Sequence, residues 1–144
     1  MKKKIFLVLL VAFIGIQFVR INKTNPEYKI ENDLITITNP SDEVATILKS
    51  TCYDCHSSET KYPWYTNIAP FSWLIEDHIV EGREHFNFSN WGTYADKDKA
   101  KIAEESVEEI EEGEMPVAGY TYLHSDADLS KEQKEQLISF FESL

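Results

Sequence analysis

Both cysteines of this 144-residue chain lie in one short stretch, Cys52-Tyr53-Asp54-Cys55-His56, which has the spacing CxxCH. On a helix, Cys52, Cys55 and His56 would stand at positions i, i+3 and i+4, so their side chains would share one face. That face suits one flat ligand, because two thiols can bond the vinyl groups of a haem while the imidazole reaches its iron. The motif therefore predicts one covalently attached haem c per chain, with His56 as an iron ligand.

Two other uses of a close cysteine pair fit less well. A thioredoxin-like dithiol needs no adjacent histidine and lies near a βαβ pattern, and no such pattern is found here. A structural zinc site needs four protein ligands, and the remaining histidines, His78, His85 and His124, are too widely spaced to supply the second pair. Two exported thiols can also form an exchangeable disulfide, so a thiol-exchange module without haem stays open.

A haem held by one histidine has an open axial position, and the group that fills it largely decides function. Met115, in "EEGEMPVAGYTYLH", is the only methionine besides the initiator. Pro116 disfavours helix at Met115, and Gly113 and Gly119 give the backbone freedom on either side, as a ligand loop requires. We therefore expect Met115 to be the second axial ligand.

A histidine in that position, or a vacant position, is the alternative. His78 and His85 come before His124 as candidate ligands, because His124 is expected to be a satisfied surface histidine. With an open iron, His78, His85 or Arg83 beside it would suit a haem enzyme or gas sensor of peroxidase type. With both axial positions filled, no substrate can coordinate, and the expected function is electron transfer.

Helices must position these residues. Ser41 is a good N-cap, and apolar residues then keep helical spacing up to Cys55. Further helices are predicted over residues 71–85 and 96–112, and an S-x-x-Q capping box at Ser130 begins the last helix. The last helix has an apolar face that matches the stripe of the first, so the two are expected to pack together. The sequence thus predicts a small all-α, cytochrome c-like domain around one haem.

The chain opens with three lysines and a run, Ile5 to Val19, that is apolar except for Gln17. This has the shape of a secretory signal and is shorter than the roughly 20 residues of a spanning helix. Because no A-x-A-like cleavage site follows, an uncleaved anchor is preferred, and residues 1–23 are expected to be a signal peptide or a membrane anchor. The rest of the chain is expected to be exported, on the periplasmic side of the inner membrane.

The remaining chain is acidic. Five of the 14 basic residues and none of the 25 acidic ones lie in residues 1–23, so residues 24–144 have a formal net charge of −16. This charge excludes nucleic acid as a partner and favours a basic redox protein. Seven glutamates between residues 104 and 114 form either a solvated face or the docking surface of such a partner.

Residues 24–40 read as a polar tether, although "LITIT" alternates like a short strand, and residues 41–144 are expected to be the c-type haem-binding domain. The middle of that domain is rich in aromatic residues. Trp64, Trp73 and Trp91 can fill a core, wall a porphyrin, or do both.

The order of CxxCH helix, aromatic middle, methionine loop and final helix resembles a small monohaem cytochrome c. More closely, "CYDCHSSETKYPWYTNIAPFSWLIEDHIVEGREHFNFSNW" followed by "GEMP" and "HSDADLS" is similar to the haem-binding domain of exported Bacteroidota proteins, over roughly residues 30–144. The resemblance implies covalent haem through Cys52 and Cys55 and proximal ligation by His56. By analogy with cytochrome c, it implies Met115 as the distal ligand.

The resemblance also bears on the second ring nitrogen of the proximal histidine. Cytochromes c use a proline carbonyl to accept its N–H, and here Pro70 is the candidate, with Pro63 behind it. Since the family implies no defined reaction, it supports haem more strongly than a pathway, and the expected function is an exported electron carrier.

Overall fold

The computed structural model describes residues 1–144 and is all-helical, with eight α-helices, four 3-10 turns and no strand. The α-helices are α1 (Lys2–Ile16), α2 (Leu34–Thr38), α3 (Asp42–Thr51), α4 (Tyr53–His56), α5 (Phe71–His85), α6 (Asp96–Glu112), α7 (Ala118–Leu123) and α8 (Lys131–Glu142). The 3-10 turns are Ile30–Asn32, Trp64–Asn67, Phe88–Thr93 and Ser125–Ala127. The predicted all-α fold class is therefore confirmed.

The first predicted helix begins at its expected cap and is interrupted at Cys52. The Ser41 hydroxyl accepts a hydrogen bond from the Val44 N–H at 3.3 Å, which caps α3. Cys52 then departs from ideal helical geometry with φ −111° and ψ −39°, and its carbonyl accepts from the N–H groups of Cys55 and His56. The last four residues of the CxxCH motif thus form a separate short helix, α4, and Cys52 is the junction between α3 and α4.

The other predicted helices agree closely with the structure. The bounds of α5 and α6 are the predicted 71–85 and 96–112, and α6 ends at Gly113, which has the left-handed φ of 78°. Ser130 and Gln133 form the predicted capping box at the start of α8. Helix α8 packs against α3, as expected, and also against α6.

The hydrophobic core joins all of these helices except α1, α5 and α7. Of the three tryptophans only Trp91 belongs to it, with 3% of its surface exposed. The cluster comprises Leu34, Val44, Ile47, Leu48, Tyr53, Phe88, Trp91, Ile102, Ala103, Ile110, Leu129, Leu137 and Phe141.

Residues 24–40 differ from the expected polar tether. Leu34 is completely buried in the core, and the buried Asp33 carboxylate accepts hydrogen bonds from the Tyr53 hydroxyl at 3.1 and 3.2 Å. The strand-like "LITIT" is helix α2, because Asp33 caps its first turn through the Ile35 N–H and Asn39 ends it with a left-handed φ of 45°. The packed unit therefore begins before residue 41.

The N-terminal helix α1 has 15 residues and buries none of them. No helix in the structure has both the length and the apolar character needed to cross a bilayer.

Candidate functional site

A cavity of about 280 Å³ lies beside the CxxCH motif. Its walls come from the ends of α3 and α5, from α4, α6 and α8, and from the chain that follows α6. Three glutamates of α6 and His85 contribute polar atoms. The apolar wall is formed by Phe86, Phe88, Ile110, Leu129, Leu137 and Phe141.

Cys52 and His56 of the motif meet Met115, which is distant from them in sequence, at this cavity. Met115 is held there by the end of α6, where its N–H and that of Glu114 both donate to the Glu109 carbonyl, at 3.1 and 3.0 Å. The left-handed Gly113 makes this turn possible. These hydrogen bonds at the C-terminal end of α6 therefore give the loop that contains Met115 a defined position at the cavity that His56 also lines.

The surroundings of the His56 ring keep it buried and neutral, as a metal ligand requires. It is 9% exposed, stacks on Phe86 with ring centroids 4.2 Å apart, and has a buried Nδ1 without a hydrogen-bond partner. Burial lowers the pKa of His56 to about 4, against the opposing effect of the nearby Gly82 and Phe86 backbone. The imidazole is therefore neutral at pH 7, which is the form that binds iron. An apolar cavity with a buried neutral histidine fits a haem.

The two cysteines are free thiols rather than a disulfide. Burial raises the pKa of Cys52 to about 12. Burial, reinforced by the Asp54 charge, raises the pKa of Cys55 to about 11, although Arg83 acts in the opposite direction. Because the thiolate is the reactive species, these pKa values disfavour a thiol-exchange module.

Cys55 does not line the cavity and instead meets α5 at Gly82. A Cβ added to Gly82 would lie 3.0 Å from the Cys55 carbonyl oxygen and 3.3 Å from its Cβ. The close approach of α4 and α5 therefore requires a residue without a side chain. Glycine inside a predicted helix was the available sequence signal for this contact.

Arg83 lies outside the cavity and fixes the chain that follows His56. Its Nε donates to the Ser57 carbonyl at 2.8 Å, and its Nη2 donates to Thr60 Oγ1 at 2.7 Å and Asn25 Oδ1 at 2.9 Å. The guanidinium is thus a positioning group, and the structure does not place it beside an iron as the haem-enzyme hypothesis had it.

Buried polar side chains hold the aromatic wall beside His56. The Ser58 N–H donates to Ser89 Oγ at 3.0 Å, and Asn87 Nδ2 donates to Ser58 Oγ at 3.2 Å. Asn87 Oδ1 also accepts from the Ser89 N–H at 2.9 Å. Because Asn87 separates Phe86 from Phe88, this network fixes both rings against the CxxCH segment. Sequence reasoning missed these residues, since buried serines carry no pattern of their own.

The prolines and two tryptophans predicted for the site lie elsewhere. The Pro70 carbonyl accepts from the N–H groups of Trp73 and Leu74 in the first turn of α5, and the Pro63 carbonyl accepts from Thr66. Neither carbonyl accepts a hydrogen bond from His56, because both are engaged locally. Trp64 is 74% exposed and Trp73 donates its indole N–H to another part of the chain, so neither lines the cavity.

The remaining histidines separate into two groups. His85 lines the cavity, whereas His78 is exposed and does not. His124 is hydrogen-bonded to the Tyr65 hydroxyl and stacks on Tyr120, with ring centroids 4.2 Å apart. It is thus engaged away from the cavity, which leaves His85 as the histidine placed to compete with Met115.

An all-helical domain that presents the buried histidine of a CxxCH motif to an apolar cavity has the features expected of a haem protein. Residues 11–143 match the family model described as a haem-binding domain. The chain therefore belongs to this family, as the sequence predicted, and haem is the cofactor that the membership supports. No curated protein and no solved structure matches the chain.

Proposed function

We propose that this protein is an exported monohaem c-type cytochrome that carries electrons and catalyses no reaction by itself. The observation that supports this most strongly is the convergence of Cys52, His56 and Met115 on one apolar cavity. His56 and Met115 would hold the iron, and the two cysteines would form the thioether bonds. A bound haem supplies an iron that alternates between the ferric and ferrous states.

The protein's own residues would control that iron in three ways. Phe86 fixes the plane of the His56 ring through stacking. The phenylalanines and leucines of the wall exclude water, which affects the potential of a metal centre. Met115, as a protein ligand of a bound haem, would favour ferrous iron relative to a histidine in its place. Attachment through Cys55 rests on the motif spacing, since that side chain faces α5.

The partner we propose is a small basic redox protein. Glu105, Glu108 and Glu109 belong to the acidic run of α6 and also line the cavity. Only Glu105 among them forms an ion pair, with Lys101 at 3.2 Å on the exposed face. A cluster of negative charge beside the redox centre would steer a basic partner toward it. Export would follow from the lysine-rich, apolar N-terminus.

Mass spectrometry after expression with a cytochrome maturation system tests covalent attachment. The expected result is a gain of one haem mass, retained after denaturation, which Cys52→Ser with Cys55→Ser abolishes. Lys49→Ala, an exposed change on the preceding helix, is the matched control and should keep the full gain. Wild-type protein without the mass gain would contradict the proposal.

His85 at the same cavity supports the alternative function, a haem enzyme or gas sensor with an exchangeable sixth position. This alternative predicts high-spin ferric protein that binds carbon monoxide rapidly once reduced. Electron transfer through a site closed by Met115 predicts low-spin protein and slow carbon monoxide binding. Stopped-flow measurement on wild type and His85→Ala distinguishes the two.

A further inference from the structure

Residues 17–25, here called the strap, run from the end of α1 along the 3-10 turn Trp64–Asn67 and α5. Gln17 fixes the start of the strap to Ala69: its Nε2 donates to the Ala69 carbonyl and its Oε1 accepts from the Ala69 N–H, both at 3.0 Å. The indole N–H of Trp73 donates to the Val19 carbonyl at 3.1 Å. The chain leaving α1 is therefore attached to the domain immediately.

The rest of the strap is attached as well. Arg20 Nη1 donates to the Asn67 carbonyl at 2.6 Å, and Lys23 Nζ donates to Asn67 Oδ1 at 2.7 Å. At its end, Asn25 donates to the Thr60 carbonyl at 2.9 Å and accepts from Arg83, the residue that holds the chain after His56. The strap is thus a structural part of the haem-binding domain.

The family match supports the same conclusion independently. It begins at residue 11, inside α1, so the unit shared by the family includes the second half of that helix and all of the strap. Cleavage within the strap would remove groups that cover Ala69, Asn67 and Trp73. A leader that is discarded after export needs no such bonds.

An apolar surface lies beside the strap. The turn Trp64–Asn67 packs against α5. Trp64, Phe71 and Leu74 are 74, 62 and 55% exposed, and Phe71 and Leu74 share one face of α5 because they are three residues apart. We call these three side chains the apolar patch. Exposed aromatic side chains next to an apolar helix are typical of a membrane interface.

Two basic side chains lie near the apolar patch, together with the acidic Glu76 of α5, whose carboxylate accepts a hydrogen bond from the Asn22 N–H of the strap at 3.1 Å. Arg20 and Lys23, both in the strap, are hydrogen-bonded to Asn67 of the turn that carries Trp64. They are two of only eight basic residues between positions 20 and 100 in a chain of net charge −11. Basic side chains near a membrane surface are attracted to anionic headgroups.

We propose that α1 is retained in the mature protein and inserts into lipid without crossing the bilayer, and that the strap holds the apolar patch against an anionic phospholipid surface. The cavity would then face away from the membrane. Phe71 is at one end of α5 and His85, which lines the cavity, is at the other, so a rise of ~1.5 Å per residue separates them by roughly 20 Å. The inference rests on the proposed export and adds the orientation of the domain.

Quenching of tryptophan fluorescence by brominated phospholipids tests the contact in the full-length protein. Vesicles of brominated phosphatidylglycerol should quench the wild type, and Trp64→Phe should lose more than half of that quenching. Trp91→Phe removes a core tryptophan and should keep it, which makes it the matched control. Equal quenching in wild type and Trp64→Phe would overturn the contact.

Two further measurements complete the test. Arg20→Ala should weaken binding to phosphatidylglycerol vesicles about five-fold and leave binding to phosphatidylcholine vesicles unchanged. The mass of the mature protein should include α1, and a mature N-terminus after residue 16 would overturn the proposal. Lipid-independent dimers that bury Trp64 would also overturn it.

Haem content measured on the same samples separates this proposal from the proposed function. Protein that binds no haem but shows the Trp64 quenching would refute the proposed cytochrome function and support the membrane contact. Protein that carries haem but shows no quenching would refute the membrane contact and support the cytochrome function.

Discussion

Burial keeps His56 neutral at physiological pH, which is the form of the ring that binds a metal. Its Nδ1 is buried without a hydrogen bond, and one ring face rests on Phe86. Met115 is placed by the backbone cap at the end of α6. At the scale of single residues, the site is therefore built from one desolvated imidazole and one positioned thioether.

The lowered pKa of His56 predicts acid sensitivity of the haem-free protein. Its folded pKa of about 4 is below the ordinary 6.5, so the unfolded chain binds the proton first as the pH falls. Cys52→Ser with Cys55→Ser, which cannot attach haem, should lose ~2 kcal/mol of unfolding free energy between pH 7 and pH 5 from this group. Urea unfolding at the two pH values measures the loss.

Adding His56→Gln to that variant provides the control, because glutamine does not titrate. The difference between pH 7 and pH 5 should then shrink by the same amount, while contributions from the carboxylates remain. An identical pH dependence with and without His56 would show that its protonation is not linked to folding.

At the scale of elements, the contact of α4 with α5 sets the position of the CxxCH motif. Gly82→Ala should place its Cβ 3.0 Å from the Cys55 carbonyl oxygen. Overpacking of this kind costs about 1–3 kcal/mol, which exceeds the gain of up to ~1 kcal/mol in helix propensity. We expect net destabilisation of about 1–2 kcal/mol in urea unfolding, together with a lower yield of attached haem.

Gly119→Ala is the matched control for Gly82→Ala. Gly119 lies in α7, and a Cβ there would meet nothing within 4 Å. This substitution should leave stability unchanged or raise it by up to about 1 kcal/mol. Equal effects of the two substitutions would refute the close contact as the cause.

Substitution of Arg83 should also destabilise the region where α5 meets the CxxCH motif and the chain that follows it. Arg83→Lys keeps the charge and loses the fork that reaches Ser57, Thr60 and Asn25. It should lower the unfolding free energy by about 2 kcal/mol, because hydrogen bonds to charged groups contribute roughly 1.5–3 kcal/mol each. Lys61→Ala, an exposed change in the same chain segment, should have little effect. A neutral Arg83→Lys would contradict the positioning role.

Elements with local signals were predictable from the sequence. The bounds of α5 and α6 and the caps of α3 and α8 follow from apolar spacing and from side chains that bond within one turn. Helix α2 was not predictable. Its strand-like alternation is overridden by the Asp33 cap and by the long-range hydrogen bond between Asp33 and Tyr53.

Only those residues of the candidate site whose type and spacing indicate a chemical role were predictable from the sequence. CxxCH and the lone Met115 indicated the residues that meet at the cavity. Which aromatic rings form the wall was not predictable, since Phe86 and Trp64 look equally suitable in sequence and only tertiary packing separates them. Gly82 and Arg83 act through contacts with residues 23 or more positions away, which no local pattern records.

At the scale of the whole molecule, charge is unevenly distributed. The glutamates of α6 border the cavity, whereas Arg20 and Lys23 lie beside the apolar patch at the other end of α5. Such a division would orient the protein between a membrane and a partner, with lipid at one end and electron transfer at the other.

The three glutamates of α6 that line the cavity predict salt-sensitive electron transfer. Glu105→Gln with Glu108→Gln and Glu109→Gln should slow the second-order reaction with a small basic redox protein about three- to ten-fold at low ionic strength. The difference should disappear at high salt, because screening removes steering. The same change of charge at Glu111, Glu112 and Glu114 should have a smaller effect, since these residues do not line the cavity. Equal rates in stopped-flow would exclude this face as the docking surface.

We propose that His56 and Met115 hold the iron of one attached haem. The absorption spectrum of the purified ferric protein is the decisive test of this ligation. We predict a methionine-to-iron charge-transfer band that Met115→Ala abolishes and His85→Ala leaves in place. Colourless protein, or a ferric spectrum that Met115→Ala does not change, would contradict the claim.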